Sequence, residues 1–176
     1  MSSRERNLKY IKAITQIALA VAIMCVFAQL SFYIGPVPIT MQTFIIAFIG
    51  YLLGMKKGTV AVCVYLLLGM VGAPVFSAFN GGFHILIGYT GGFLWGFIPY
   101  VVFCGMAKEK RLGIVLGLVG MVICHLLGAL QYTLISKINL FASLVIVSLP
   151  FIIKDIIFTI IAYFLAGKVR KTIKLS

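Results

Sequence analysis

The amino-acid sequence predicts an all-α integral membrane protein, with six transmembrane helices in one compact bundle and both termini in the cytoplasm. Of its 176 residues, 62% are hydrophobic and 10% are charged, and the mean hydropathy is +1.17. A soluble domain has roughly 45–50% apolar and about 25% charged residues. So much apolar surface requires lipid as its solvent, and six spans of about 20 residues leave room for short connections only.

The predicted spans are separated by short connections, and no linker divides the chain, so residues 1–176 form a single predicted domain. The spans are roughly residues 13–33, 42–55, 58–73, 84–106, 112–135 and 145–167. The second and third are short for a bilayer. The connections expected on the outer side are then residues 34–41, 74–83 and 136–144.

Basic residues set the predicted orientation. The net charge is +12, and thirteen of the 15 Lys and Arg residues lie in four groups at the two termini and in every second connection. These groups are Arg4, Arg6, Lys9 and Lys12; Lys56 and Lys57; Lys108, Lys110 and Arg111; and Lys168, Arg170, Lys171 and Lys174. Short cytoplasmic loops carry such an excess, so we expect a lipid partner and no nucleic acid. The basic, apolar N-terminus resembles a secretory signal, but its apolar run is too long, and we expect it to be retained.

Small residues recur at a spacing of four. Examples are Gly50/Gly54/Gly58, Gly88/Gly92/Gly96 and Gly113/Gly117. This spacing lets membrane helices approach closely, so most of these glycines are expected to pack helices within the monomer. Ala18 and Ala22 share the spacing on the first span. Packing inside the bundle and contact with a partner protein both remain open for them. The four cysteines fall within predicted spans and are expected to be free thiols.

The first two outer connections have unusual compositions. Residues 35–42 contain two prolines and predict a stiff, non-helical segment. Residues 72–83 are apolar for a water-facing loop. An irregular apolar segment needs protein cover, which favours a loop folded over a cavity. A loop packed on the bundle with no ligand is the alternative.

Ionisable groups are too few for most catalytic or metal sites. The acids are Glu5, Glu109 and Asp155, and no two of them lie together. Paired carboxylates, a carboxylate metal site and a phosphate-binding loop are all missing from the sequence. His84 and His125 are expected to be hydrogen-bonded structural residues. We therefore expect no enzyme, no metal and no cofactor.

One charged pair lies inside a predicted span. Lys154 and Asp155 belong to the sixth span, where each charge costs about 2.5–3.5 kcal/mol. Asp155 lies about 20 Å along a helix from Lys168 at the inner surface, which places it in the outer half. Adjacent helix positions diverge by about 100°, so the two side chains are not expected to pair. Such residues face the bundle interior and mark substrate paths, so both are predicted ligand contacts.

Other polar and aromatic residues are predicted at the same depth. Gln42 opens the second span, Asn80 ends the second outer loop, and Tyr89 lies one to two turns into the fourth span. Trp95 either walls a pocket or fills the core. A polar-lined cavity, open to the outside and covered by two loops, would use these groups and suit a small organic molecule.

The motifs at these positions resemble the biotin-specific BioY family, the substrate-capture subunits of energy-coupling factor (ECF) transporters. The likeness covers nearly the whole chain. It rests on residues 35–43 (GPVPITMQT), 69–76 (GMVGAPVF), 80–82 (NGG) and 88–97 (GYTGGFLWGF), and on the pair Lys154 and Asp155. Tyr89 stands where the family usually has proline.

The resemblance implies a six-helix capture protein of the bacterial plasma membrane that binds biotin on its outer side. It also implies docking onto a shared transmembrane scaffold subunit and two cytoplasmic ATPases, which would carry out ATP hydrolysis. Other capture subunits meet that scaffold through an Ala-x-x-x-Ala motif in the first helix, and Ala18/Ala22 matches it.

Biotin also fits the chemistry of the predicted site. An ionised Asp155 accepts from the ureido N–H groups, while Asn80 and Gln42 can donate to the ureido carbonyl. Lys154 is the intramembrane cation available to the valerate carboxylate. The apolar thiophane ring needs an apolar wall, and the candidates are Tyr89, Trp95 and Phe79.

Three other functions are alternatives to biotin capture. Capture of another vitamin is the first, although cationic thiamine should require more than one acid. A stand-alone membrane transporter is the second, although the inner halves of the spans look too apolar for a continuous polar path. A membrane enzyme is the third, and the shortage of acids and histidines disfavours it.

Overall fold

A computed structural model describes residues 2–33, 37–107 and 110–173, and these residues are helical apart from one short hairpin and a few connections. The elements, in chain order, are α1 (Ser3–Gln29), β1 (Ser31–Tyr33), β2 (Pro38–Thr40), α2 (Gln42–Met70), a 3-10 turn (Ser77–Phe79), α3 (Phe83–Leu86), α4 (Gly91–Gly105), α5 (Lys110–Ser136), α6 (Leu140–Val147) and α7 (Leu149–Ile173). The predicted all-α class is confirmed. Pro36, Lys108, Glu109 and Lys174 lie outside the described residues.

Helix α2 reverses direction at Gly54, which has φ 78° and ψ 172°. A Cβ atom placed on Gly58 would lie 3.4 Å from Cα of Gly50. The Gln42 amide nitrogen donates to the hydroxyl of Tyr65 over 2.7 Å, although a straight helix would separate these residues by about 34 Å. Residues 42–53 and 55–70 are therefore antiparallel arms, which fits the separate second and third predicted spans. Glycine allows the turn because it tolerates positive φ.

Apolar faces point away from the bundle. Four described helices are long and apolar enough to cross a membrane: Ser3–Gln29, Gln42–Met70, Leu112–Ser136 and Leu149–Thr172. Helix α5 carries an exposed stripe at helical spacing, formed by Val115, Val119, Val122, Leu126 and Leu130. Such a stripe is stable only in lipid or against another protein. The chain is a multi-pass membrane protein.

Glycines set the closest helix contacts. Helix α4 packs mainly against α5 and α2. A Cβ atom on Gly92 would lie 2.2 Å from the carbonyl oxygen of Leu127, and one on Gly96 would lie 2.8 Å from Cα of Cys124. Neither contact leaves room for a methyl group, so the predicted packing role is confirmed at both positions.

Helix α1 lies at the edge of the bundle and packs mainly against α2. Ala20, Val21, Met24 and Ala28 are buried on its inner side. Ala18 and Ala22 are exposed on its other side. Packing inside the monomer, one of the two readings left open for this pair, is therefore wrong.

Three predicted spans differ in detail from the helices. The first span does not reach residue 33, because Ser31–Tyr33 pairs with Pro38–Thr40 in an antiparallel hairpin. The fourth is interrupted at residues 87–90, between α3 and α4. The sixth is interrupted at Ser148, and α6 occupies much of the predicted loop 136–144. Pro150 explains the last break, because it lacks the N–H that would bond four residues back and its ring clashes there.

Candidate functional site

A cavity lies between the helices at the end of the bundle that carries the hairpin and residues 72–82. Its empty space is about 580 Å³, which includes the open mouth. Its lining is Val37, Pro38, Thr40, Gln42, Thr43, Phe76, Ser77, Ile85, Thr90, Phe93, Leu94, Phe97, His125, Phe151, Lys154 and Asp155. Apolar walls thus surround a small polar cluster.

Asp155 is the centre of that polar cluster and is only 2% exposed. Its Oδ1 accepts from the Thr43 hydroxyl at 2.5 Å and from Lys154 Nζ at 2.5 Å. Its Oδ2 lies 3.1 Å from Nε2 of His125. The carboxylate therefore joins the first arm of α2, α5 and α7 beside the cavity. The structure places Asp155 in the bundle interior, as its position in the sequence suggested.

Lys154 reaches around its own helix to the same carboxylate, so the expectation that the neighbours would not pair is wrong. Its Nζ also donates to the Thr40 carbonyl and to the Thr43 hydroxyl, both at 3.2 Å. The ammonium lies 4.9 Å from the ring centroid of Phe158. The flexible four-carbon stem makes this possible despite the divergence of adjacent positions. The Lys154 side chain is 22% exposed and that of Asp155 is 3% exposed.

Gln42 lies at the start of the first arm of α2 and is 6% exposed. Its amide nitrogen donates to Tyr65 Oη, which in turn donates to the Val75 carbonyl over 2.9 Å. These bonds fix the amide plane of Gln42 within the cavity wall. Among the described residues, no hydrogen bond to its Oε1 is found, so this acceptor is available to a guest.

Gln29, at the end of α1, ties down the loop that closes one side of the cavity. Its amide nitrogen donates to the Phe76 carbonyl over 3.1 Å, and its Oε1 accepts from the Phe79 amide at 2.8 Å. Ala78 and Phe79 have φ of 55° and 56°, which is strained for residues with side chains. The sequence signal that was missed is a polar side chain directly after the apolar stretch of residues 17–28 in α1.

Three predicted contacts point away from the cavity. The Asn80 amide donates to the Ser77 carbonyl over 2.9 Å on the exposed side of the loop. Phe79 is 70% exposed and Tyr89 is 51% exposed. The Tyr89 ring lies 5.6 Å from that of Tyr132. The strained loop backbone turns Phe79 outward, and the break at residues 87–90 takes Tyr89 out of the predicted helix.

Trp95 also lies outside the cavity, on the far side of α4. Its Nε1 donates to the Leu86 carbonyl over 3.1 Å. The Gln131 amide donates to the same carbonyl at 3.0 Å and to the Gly88 carbonyl at 2.7 Å. These side chains add hydrogen bonds to carbonyls at the helix break, which stabilises the interruption where water is scarce. Trp95 is 41% exposed and does not fill the core. It lines a separate, open hollow between α4 and α5, not the cavity beside Asp155.

Comparison with known proteins gives consistent results. A biotin transporter BioY from Thermotoga maritima is 35% identical over 154 residues, covering 85% of this chain and 90% of that protein. A probable biotin transporter BioY from Pyrococcus horikoshii is 33% identical over 159 residues, covering 90% and 96%. The crystal structure at 2.1 Å of the S-component for biotin from an ECF-type ABC transporter matches with a TM-score of 0.85 and 27% identity, covering 97% of this chain and 95% of that one.

The family model described as "BioY family" matches residues 1–175. The resemblance found in the sequence motifs is therefore confirmed by similarity over the whole length and by the fold. This chain belongs to the BioY family.

Proposed function

We propose that this chain is the biotin-binding capture subunit of an ECF-type ABC importer. It takes biotin from outside and delivers it through a shared scaffold and ATPase module. The observation that carries the proposal is the buried Asp155, held by three partners at the wall of an apolar cavity. Relatives named as biotin transporters and a biotin S-component of the same fold support the choice of ligand. The family consists of transporter subunits, so this chain is not an enzyme.

Each part of biotin has a counterpart in the cavity. Asp155 accepts a ureido N–H, since an ionised carboxylate can only accept. Gln42 has a second amide N–H that Tyr65 does not use, and it donates this N–H to the ureido carbonyl. Phe93, Phe97 and Phe151 enclose the thiophane ring. Lys154 is the more exposed member of its ion pair, so we assign the valerate carboxylate to it. The ammonium already has three acceptors, and the ligand replaces one of them, the Thr40 carbonyl at 3.2 Å. Four predicted contacts have no place in this arrangement, namely Asn80, Phe79, Tyr89 and Trp95.

The proposed orientation has six crossings and both termini in the cytoplasm. The two antiparallel arms of α2 make two of the crossings. Helix α7, preceded by the short helix α6, makes the last one. Near the reversal at Gly54, the Arg170 guanidinium donates to the Tyr51 carbonyl, and Lys57 donates to Gln16 Oε1 over 2.8 Å. Basic residues favour the cytoplasmic side. The cavity, at the other end, then opens outward from a bacterial plasma membrane.

The proposed docking surface for the transmembrane scaffold is the exposed side of α1 around Ala18 and Ala22. Both residues point away from α2, and two small side chains four residues apart let a partner helix approach closely. The two cytoplasmic ATPases would act through that scaffold.

Direct titration of the purified protein in detergent tests the ligand. Isothermal titration calorimetry is expected to show one biotin per chain, with no heat from thiamine or riboflavin. Thiamine is disfavoured because the single acid of the cavity is already neutralised by Lys154. Binding of thiamine or riboflavin, or no response to biotin by a folded protein freed of co-purified ligand, contradicts the proposal.

Replacing Trp95 by Phe is expected to leave biotin affinity within about twofold of the wild-type value, because its indole lies outside the cavity. The matched change Phe93→Ala removes part of the cavity wall and should weaken binding at least about tenfold. Calorimetric titration of both variants measures the contrast. A tenfold loss in Trp95→Phe at unchanged thermal stability would return Trp95 to the site.

A further inference from the structure

His125 carries a buried acceptor that the proposed function has not yet used. The residue is 5% exposed and lines the cavity. Its Nδ1 is buried and has no hydrogen-bond partner among the residues that the structure describes. A buried polar atom without a partner is unfavourable, and each such atom in a folded protein requires an explanation.

The contact with Asp155 determines which ring nitrogen carries the proton. An ionised carboxylate has no proton to give, so Nε2, at 3.1 Å from Oδ2, must be the donor. In the neutral imidazole, Nδ1 then offers a lone pair. Lys154 already supplies the counter-charge of Asp155, so the carboxylate does not require a charged imidazole.

The existing hydrogen bonds limit what Asp155 can accept from a guest. A carboxylate offers about four lone-pair positions. Both on Oδ1 are taken by Thr43 and Lys154, and one on Oδ2 is taken by His125. One position remains. A cyclic urea presents two N–H groups, so its second N–H needs another acceptor in the same polar cluster.

We propose that Nδ1 of His125 accepts the second ureido N–H, so that Asp155 and His125 together select a cyclic urea with both N–H groups present. Phe93 supports this assignment. Its ring stands at 88° to the imidazole, with centroids 5.7 Å apart, and it lines the cavity too. That ring holds the imidazole in an apolar setting, where a guest N–H has little competition from water. The inference rests on the proposed binding of biotin.

Two isosteric ligands test the assignment without added bulk. They are cyclic carbamate analogues of biotin, each with one ureido N–H replaced by a ring oxygen. Wild-type protein should bind each of them at least about tenfold more weakly than biotin. His125→Gln keeps an amide N–H that can reach Asp155, but its acceptor Oε1 is not fixed at the position of Nδ1 by a rigid ring. In this variant one analogue should bind about as well as biotin does, while the other keeps its penalty.

Each analogue gives one double-mutant cycle. Its four affinities are those of biotin and of the analogue for wild type and for His125→Gln, and they measure the coupling between residue 125 and the replaced N–H. If each analogue loses the same factor of affinity relative to biotin in His125→Gln as in wild type, the assignment is overturned. Wild-type protein that fails to bind biotin contradicts the proposed function instead, so the two failures are distinguishable.

Nitrogen-15 NMR of the wild-type protein decides the matter if His125→Gln does not fold. The unprotonated Nδ1 resonance of His125 should move upfield when biotin is added, as it does when that nitrogen accepts a hydrogen bond. His84 is exposed, and the variant His84→Gln identifies its signals. An unchanged Nδ1 resonance in the biotin-saturated protein would overturn the assignment.

Discussion

Asp155→Asn is expected to weaken biotin binding at least tenfold, corresponding to about 1.4 kcal/mol or more. The substitution keeps the shape of the side chain but removes its charge and one of its two acceptor oxygens. The remaining oxygen must serve Thr43, Lys154 and His125, which bond the carboxylate in the native site. A hydrogen bond from a ligand N–H to a charged acceptor contributes about 1.5–3 kcal/mol, which is enough for the expected loss.

The same change also leaves Lys154 without its counter-ion inside the membrane, so stability must be separated from ligand contact. The double variant Lys154→Met with Asp155→Asn removes both charges. If Asp155 contacts biotin, calorimetric titration should find both variants weak, while thermal unfolding shows the double variant regaining stability. Wild-type affinity in either variant would remove Asp155 from the set of ligand contacts.

Ala18→Trp is expected to leave biotin binding within about twofold of wild type and to abolish uptake. Ala18 is exposed on α1, remote from the residues that line the cavity. An indole there would hold the proposed partner helix away from α1, and close packing is the main attraction between helices in lipid. Uptake of labelled biotin by cells that carry the complete transporter, beside titration of the purified variant, measures both quantities.

Val122→Trp is the matched control, because Val122 is exposed on the membrane-facing stripe of α5 at 49%. A tryptophan is tolerated there if lipid alone covers the stripe. Normal uptake in Ala18→Trp together with lost uptake in Val122→Trp would move the docking surface from α1 to α5.

Composition and charge alone were sufficient for the class of protein. A long apolar run is stable in lipid whatever its neighbours are, because a helix through lipid satisfies its own backbone groups. Runs of apolar residues therefore predict membrane helices without knowledge of their neighbours. The motifs at residues 35–43 and 88–97 likewise predicted the family, since they are read directly from the chain.

One helix break was not predictable from the sequence, because a distant side chain stabilises it. The break at residues 87–90 is possible because Gln131, more than forty residues away, donates to the Leu86 and Gly88 carbonyls. Hydropathy is insensitive to such a bond and predicts one continuous span. Tyr89 and Trp95 were assigned to the cavity on that basis. With the break in place, both side chains lie outside the cavity.

The sequence by itself determined a multi-pass membrane protein with one acid placed deep in an apolar helix. Only the tertiary structure decided what that acid meets. Thr43 is 112 residues from Asp155 and His125 is 30 residues away, yet all three share one hydrogen-bonded cluster. Contacts over such separations follow from how helices pack, which depends on every neighbouring surface at once. A pattern of residue types along one chain carries no measure of that packing.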